Sequence, residues 1–147
     1  MKTEEFKDIS IAYMRRTGHY GLENKILMEN FKTYLRENDL LDRSSIILGI
    51  ALDDPAETDQ DQLRYDVGLV VSEEQKTALD IRKIPDGHYA IFEIPHTAQD
   101  VAAFWDNIKQ FAGDLPVDET KPIIERYSAH KVARHLCEFC IPLKELP

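Results

Sequence analysis

The two halves of this 147-residue chain carry the same order of predicted elements, which is a strand, a helix and two further strands. Short runs rich in β-branched and aromatic residues predict the strands, and apolar residues three and four positions apart predict the helices. In the first half the strands are predicted at residues 9–16, 45–52 and 63–71, and the helix at 22–36. In the second half the strands are predicted at residues 89–94, 122–127 and 137–143, and the helix at 98–112.

The halves can also be laid over one another residue by residue, although few letters match. Ala12 falls on Ala90, Ile46 falls on Ile123, and the segment YDVGLVV falls on CEFCIPL. Two such units can share one antiparallel sheet with both helices on a single face, because helices and sheets must each bury an apolar side. We therefore expect an α+β fold with one antiparallel sheet and both helices on one of its faces. It would form a single domain over residues 1–147, built from pseudo-repeats at about 1–76 and 77–147.

The composition argues against several classes of function. The formal net charge of −9 repels phosphate backbones, and no cluster of Lys and Arg offsets it locally. No run approaches the ~20 apolar residues of a membrane helix, and the first residues, MKTEEFKD, are polar where a signal peptide is apolar. We expect a cytoplasmic protein that contacts neither nucleic acid nor membrane directly.

The cysteines and histidines lack the spacing of a metal site. Cys137 and Cys140 lie in a predicted strand, where residues three apart point to opposite faces, so we expect two reduced, buried cysteines rather than a redox or zinc pair. The five histidines show no ligand spacing, and the acidic segment 53–61 lacks the glycine and final glutamate of a calcium loop. The sequence predicts no metal and no cofactor.

Four segments together are typical of one known family. They are IAYMRRTGHYG, LGIALDDPAETDQDQLRYDVGLVV, IPDGHYAIFEI with the tryptophan-bearing helix behind it, and PIIERY followed by CEFCIPL. Over nearly its whole length the chain resembles the GyrI-like family, a small-molecule-binding domain that also forms the effector-binding half of AraC-type and MerR-type multidrug-sensing regulators of bacteria. Those regulators carry a helix-turn-helix segment elsewhere, so we expect a stand-alone member.

The resemblance implies a groove between the two helices and a pocket in it, with aromatic walls and an acidic floor, which suits an amphipathic organic cation. Glu125 matches the acidic position of the family's Pro-x-x-Glu-x-Tyr segment and so takes the ligand-binding role. On the strand period it shares a face with Ile123 and Tyr127. The alternative is a half-exposed carboxylate paired with Arg126 or Lys121.

Further candidates for the groove are acidic or aromatic. Glu138 stands where the family tends to keep an acid, and the overlay of the halves places Asp66 at the equivalent position. These two carboxylates could converge on the centre of the sheet or could both face solvent. Trp105 corresponds to a pocket aromatic of the family, while its helical spacing equally fits a core residue. The remaining candidates for the groove wall are Tyr20, Tyr65 and Tyr127.

Two functions from different classes fit these residues. The first is a binding protein that senses or sequesters a small molecule, and the family implies a variant in which the domain contacts DNA gyrase. The second is hydrolysis of electrophilic toxins, in which a glutamate acts as general base beside a tyrosine. Glu125 with Tyr127, or Glu138 with Tyr65, would supply that pair. Both functions need an aromatic pocket with one acid, so the sequence leaves them open.

Overall fold

The computed structural model describes residues 1–72 and 77–145, which contain eight strands and four α-helices. The strands are β1 (Lys2–Phe6), β2 (Ser10–Thr17), β3 (Ile46–Ala51), β4 (Arg64–Val71), β5 (Asp80–Lys83), β6 (Gly87–Pro95), β7 (Ile124–Ser128) and β8 (Leu136–Pro142). The helices are α1 (Leu22–Glu37), α2 (Ala98–Asp106), α3 (Ile108–Ala112) and α4 (Ala129–Val132). The predicted fold class, α+β with one antiparallel sheet, is confirmed.

The eight strands form one sheet in the order β1-β6-β8-β7-β3-β4-β2-β5, and all neighbours are antiparallel. Strands β7 and β3 therefore lie at its centre. The outermost strands are exchanged, because β1 pairs with β6 while β5 pairs with β2. Each side of the sheet thus ends in a strand that comes from the other part of the chain.

The helices begin and end where the sequence provides the right groups. Helix α1 follows Gly21, whose φ of 138° is rarely adopted by residues with a side chain. Helix α2 is capped by Thr97, whose hydroxyl oxygen accepts a hydrogen bond from the backbone N–H of Asp100 at 3.0 Å. Asn107 separates α2 from α3, and its side chain donates to the Ala103 carbonyl at 2.8 Å, which competes with the helical pattern. No helix among the described residues is long and apolar enough to cross a membrane.

Both faces of the sheet are buried. On the helix face, α1 packs over β2 and β4 through Met28, Phe31 and Leu35, and α2 packs over β6 and β8 through Phe104. The far face is the face opposite the helices. Its apolar cluster joins Phe6 of edge strand β1 to Ile11 of β2, which lies near the other edge, so the sheet is strongly curled. The buried members of this cluster are Phe6, Ile11, Leu48, Ile50, Ile84, Tyr89, Ile91, Ile124 and Cys140.

Three details differ from the sequence-based expectation. Each predicted unit has one more strand, β1 or β5, the second predicted helix is interrupted at Asn107, and a short helix, α4, joins β7 to β8. The predicted boundary between the pseudo-repeats, at about residue 76, and the last two residues of the predicted domain lie outside the described residues, so that division stays a prediction. Cys137 and Cys140 are free and buried, as expected.

Candidate functional site

Glu125 is a buried carboxylate at the centre of the sheet. It lies on β7, and only 8% of its surface is exposed. Strand alternation turns it to the helix face together with Tyr127, while Ile124 joins the far-face cluster. The prediction that Glu125 shares a face with Tyr127 is therefore confirmed.

Aromatic side chains surround this carboxylate. The Tyr65 hydroxyl donates a hydrogen bond to Oε1 at 2.9 Å, and the Trp105 indole N–H donates to Oε2 at 3.3 Å. The Tyr127 hydroxyl lies next to the same carboxylate. Tyr65 comes from β4, Trp105 from α2 and Tyr127 from β7, so the site joins both parts of the chain.

The neighbouring cations do not neutralise Glu125. Arg126 pairs with Glu4 and Glu138, and Lys121 pairs with Asp118. Among the described residues no lysine, arginine or histidine forms an ion pair with Glu125, so the alternative partners expected from the sequence, Arg126 and Lys121, are wrong.

Burial sets the protonation of the site. Burial raises the pKa of Glu125 above its ordinary value of 4.5, against the opposing effect of the hydrogen bonds from Tyr65 and Trp105. Burial and the nearby Glu125 carboxylate raise the pKa of Tyr65 and of Tyr127 as well. Both phenols therefore remain protonated at neutral pH and act as hydrogen-bond donors.

Trp105 forms the outer wall of the site. Its indole ring packs edge-on against Phe139, with the ring centroids 5.2 Å apart, and it is half-buried. Together with its hydrogen bond to Glu125, this packing covers the carboxylate. Two surface depressions formed by described residues lie elsewhere, one along Phe104 and Phe111 and one beside Tyr13 and Leu27. Because Glu125 is only 8% exposed, the site is closed in this structure.

Tyr20 supports the site from behind Tyr65. The two rings meet edge to face with centroids 6.3 Å apart. The Tyr20 hydroxyl donates to the Arg64 carbonyl at 2.6 Å and accepts from the Asp53 backbone N–H at 3.2 Å. Tyr20 thereby connects the two ends of the loop that contains the acidic segment 53–61, called the acidic loop below, and packs against one side of the Tyr65 ring.

Asp66 and Glu138 do not reach this site, which corrects their predicted place in the groove. Both are buried, and both point to the far face. Asp66 pairs with Arg15 at 2.6 Å and with Arg82 at 2.8 Å, while Glu138 pairs with Arg126 at 3.0 Å. They also cannot converge, because β4 and β8 lie three strand spacings apart, roughly 14 Å along the sheet.

Two neighbours of the site were not among the predicted residues. Phe139 supports Trp105, and the alternation of β8 that turns it to the helix face was a signal for this role. His96 packs against Tyr127 with ring centroids 5.2 Å apart, and burial lowers its pKa. His96 lies directly after the end of β6, and no sequence pattern identifies it as a neighbour of the site.

Solved structures share the fold of this chain. SAV2435 bound to tetraphenylphosphonium superposes with a TM-score of 0.63 at 12% identity, over 97% of this chain and 93% of that one. An integron cassette protein from the mobile metagenome of Vibrio cholerae superposes with a TM-score of 0.58 at 19% identity, over 97% and 95%. EcmrR in a DNA complex gives a TM-score of 0.64 at 11% identity, over 99% of this chain and 57% of that one. This chain spans just over half of EcmrR.

A curated relative comes from Bacillus subtilis (strain 168). It bears the name "SPbeta prophage-derived putative transcriptional regulator YosT" and is 39% identical over 145 residues, which cover 96% of this chain and 97% of that protein. The family model described as "GyrI-like small molecule binding domain" matches residues 1–144. The chain therefore belongs to the GyrI-like family of small-molecule-binding domains.

Proposed function

We propose that this small-molecule-binding domain takes up an amphipathic organic cation at Glu125, in order to sense or sequester it. The observation that carries the proposal is a buried carboxylate with aromatic neighbours and no cationic partner among the described residues. Ionising such a group is costly unless a positive charge approaches it. A bound cation would supply that charge.

The aromatic side chains favour the same class of ligand. A cation over the face of a tryptophan or tyrosine ring gains about 0.5–2 kcal/mol per contact, and the apolar parts of an amphipathic cation would pack against Trp105 and Phe139. SAV2435, which has the same fold, is a protein solved with tetraphenylphosphonium, a lipophilic cation. That compound is therefore a suitable probe.

Entry of a ligand requires movement of Trp105. Its hydrogen bond to Glu125 is 3.3 Å long, whereas the bond from the Tyr65 hydroxyl is 2.9 Å. The longer bond is the weaker one, and the indole is only half-buried, whereas Tyr65 is buried. Displacing Trp105 would uncover the carboxylate while Tyr65 keeps it in place.

Titration with tetraphenylphosphonium tests the proposal. Trp105 is the only tryptophan, so its fluorescence reports directly on the site, and calorimetry gives the affinity. We expect Glu125→Gln to weaken binding about tenfold or more, because the charge that pairs with the cation is lost. Glu57→Gln, which removes an exposed carboxylate from the acidic loop, is the matched control and should leave the affinity unchanged. Equal affinities for all three proteins would remove Glu125 from the binding site.

Hydrolysis of a strained electrophile is the second candidate, and the Tyr65–Glu125 contact in a closed site favours it. Glu125 would take a proton from water as the water oxygen attacks the electrophilic carbon, and Tyr65 would donate its proton to the oxygen released by ring opening. The proton on Glu125 would then pass to the Tyr65 oxygen along their hydrogen bond, which restores both groups. The predicted pair of Glu138 with Tyr65 is wrong, because Glu138 lies on the far face. Mass-spectrometric detection of a diol formed from styrene oxide by the wild type, and not by Glu125→Gln, would establish turnover. Absence of product together with tetraphenylphosphonium binding would favour the binding function.

We also propose a contact with DNA gyrase and a cytoplasmic location. The contact with DNA gyrase is implied by the family alone, and no feature of the described residues identifies a surface for it. The cytoplasmic location agrees with a regulator-like relative such as YosT.

A further inference from the structure

The hydrogen bond between Tyr65 and Glu125 passes over a third strand. Tyr65 lies on β4 and Glu125 on β7, with β3 between them, so the two strands are about 9.6 Å apart. In the register, Ala51 of β3 is opposite Tyr65, and Gly49 of β3 is opposite Glu125. The Tyr65 side chain therefore leans along β3 and reaches the carboxylate above Gly49.

A side chain at position 49 would occupy the same space. A Cβ atom placed on Gly49 would overlap the Tyr65 hydroxyl and would lie 2.7 Å from Glu125 Oε1. Gly49 is not among the glycines with positive φ, so the backbone does not require glycine there. The two atoms in the way belong to side chains and not to the backbone, so relieving the overlap requires displacement of Tyr65 or Glu125 and not a break in strand pairing.

We infer that Gly49 is a positioning residue of the binding site, because the gap it leaves in β3 allows Tyr65 to hold the Glu125 carboxylate. This role rests on the proposed function, because it concerns ligand binding at Glu125. It assigns to β3 a role in ligand affinity, although β3 contributes no polar side chain to the site.

Gly49→Ala tests the inference in two independent measurements. In the free protein, a pH titration of Trp105 fluorescence follows the ionisation of Glu125, to which the indole is bonded. We expect its midpoint to move to higher pH, because the displaced Tyr65 no longer stabilises the carboxylate. We also expect affinity for tetraphenylphosphonium to fall about tenfold.

Tyr65→Phe distinguishes positioning from a general structural effect, because it removes the hydroxyl that the new methyl group would meet. In the Tyr65→Phe background, Gly49→Ala should change the midpoint and the affinity by less than it does in the wild type, because only the close approach to Glu125 Oε1 remains. Gly68→Ala is the matched control on the far face, where a Cβ atom would lie 2.6 Å from Ile11 Cδ1. It should lower the melting temperature and leave the midpoint in place.

Additive effects of Gly49→Ala and Tyr65→Phe, or a Gly49→Ala protein that matches the wild type, would overturn the inference. If Gly49→Ala does not fold, recovery of the fold on adding Tyr65→Phe supports it, and failure of both variants overturns it. If the wild type does not bind tetraphenylphosphonium, the proposed function fails, and the fluorescence titration of the free proteins still decides the role of Gly49.

Discussion

The protonation of Glu125 connects one side chain to the pH dependence of the protein. Burial raises its pKa above the 4.5 of an ordinary glutamate. Between pH 4.5 and this higher folded-state pKa, the native protein holds a proton that the unfolded chain has released. The contribution of Glu125 to stability therefore decreases as pH rises through that window, and it is constant above the folded-state pKa.

Ligand binding should have the opposite pH dependence. A cation prefers the ionised carboxylate, so we expect the affinity for tetraphenylphosphonium to increase as pH rises through the folded-state pKa of Glu125 and then to level off. Calorimetry in two buffers with different ionisation enthalpies would measure the proton released per cation bound. Glu125→Gln should bind weakly, with no pH dependence and no proton release. A wild-type affinity that does not increase as pH rises from 4.5 would contradict this prediction.

At the scale of elements, α2 carries Trp105 and depends on its first turn. Thr97 caps this helix through the Asp100 backbone N–H. Thr97→Ala should cost about 1 kcal/mol and lower the melting temperature by about 3 °C. It should also increase quenching of Trp105 by acrylamide, since the helix that positions the indole becomes less stable. Thr33→Ala, at an exposed position of α1, is the control, because alanine is the better helix former. The Thr33 hydroxyl bonds only within its own helix, donating to the Glu29 carbonyl at 3.1 Å and accepting from the Arg36 guanidinium at 3.4 Å. Equal destabilisation by both changes would exclude a capping role.

Local periodicity is enough to predict most elements and the orientation of Glu125, because alternation within a strand does not depend on its neighbours. It does not predict the exchanged strand β1, whose sequence KTEEF is mostly polar, as an edge strand requires. Nor does it predict where Asp66 and Glu138 find their partners. Arg126, which pairs with Glu138, also pairs with Glu4, which is 122 positions away in sequence, and only the folded sheet brings these two residues together.

At the scale of the molecule, the proposed binding site and the buried ion pairs of Arg126 lie on opposite faces of the sheet. On the far face Arg126 bonds Glu138 at 3.0 Å and Glu4 at 2.7 Å, which ties β7 and β8 to the exchanged strand β1. Glu138 is only 2% exposed, and without Arg126 its remaining cationic neighbour among the described residues is Lys131, at 3.8 Å. Removing the arginine therefore leaves a poorly compensated buried carboxylate.

Substitutions at the adjacent residues Arg126 and Glu125 should consequently have opposite effects on stability and on ligand binding. Arg126→Met should cost about 3 kcal/mol, or roughly 10 °C in melting temperature, and leave the tetraphenylphosphonium affinity of the folded protein nearly unchanged. Glu125→Gln should weaken binding and cost little or no stability at neutral pH, because it removes a carboxylate that is unfavourable to ionise.

The hydrogen bond from Arg126 lowers the pKa of Glu4, so that part of the Arg126 contribution to stability is present above the ordinary pKa of 4.5 and is lost as pH falls through the lower folded-state value. Thermal unfolding and calorimetry of both variants from acidic to neutral pH would measure this, and loss of binding in folded Arg126→Met would show that the two faces are coupled.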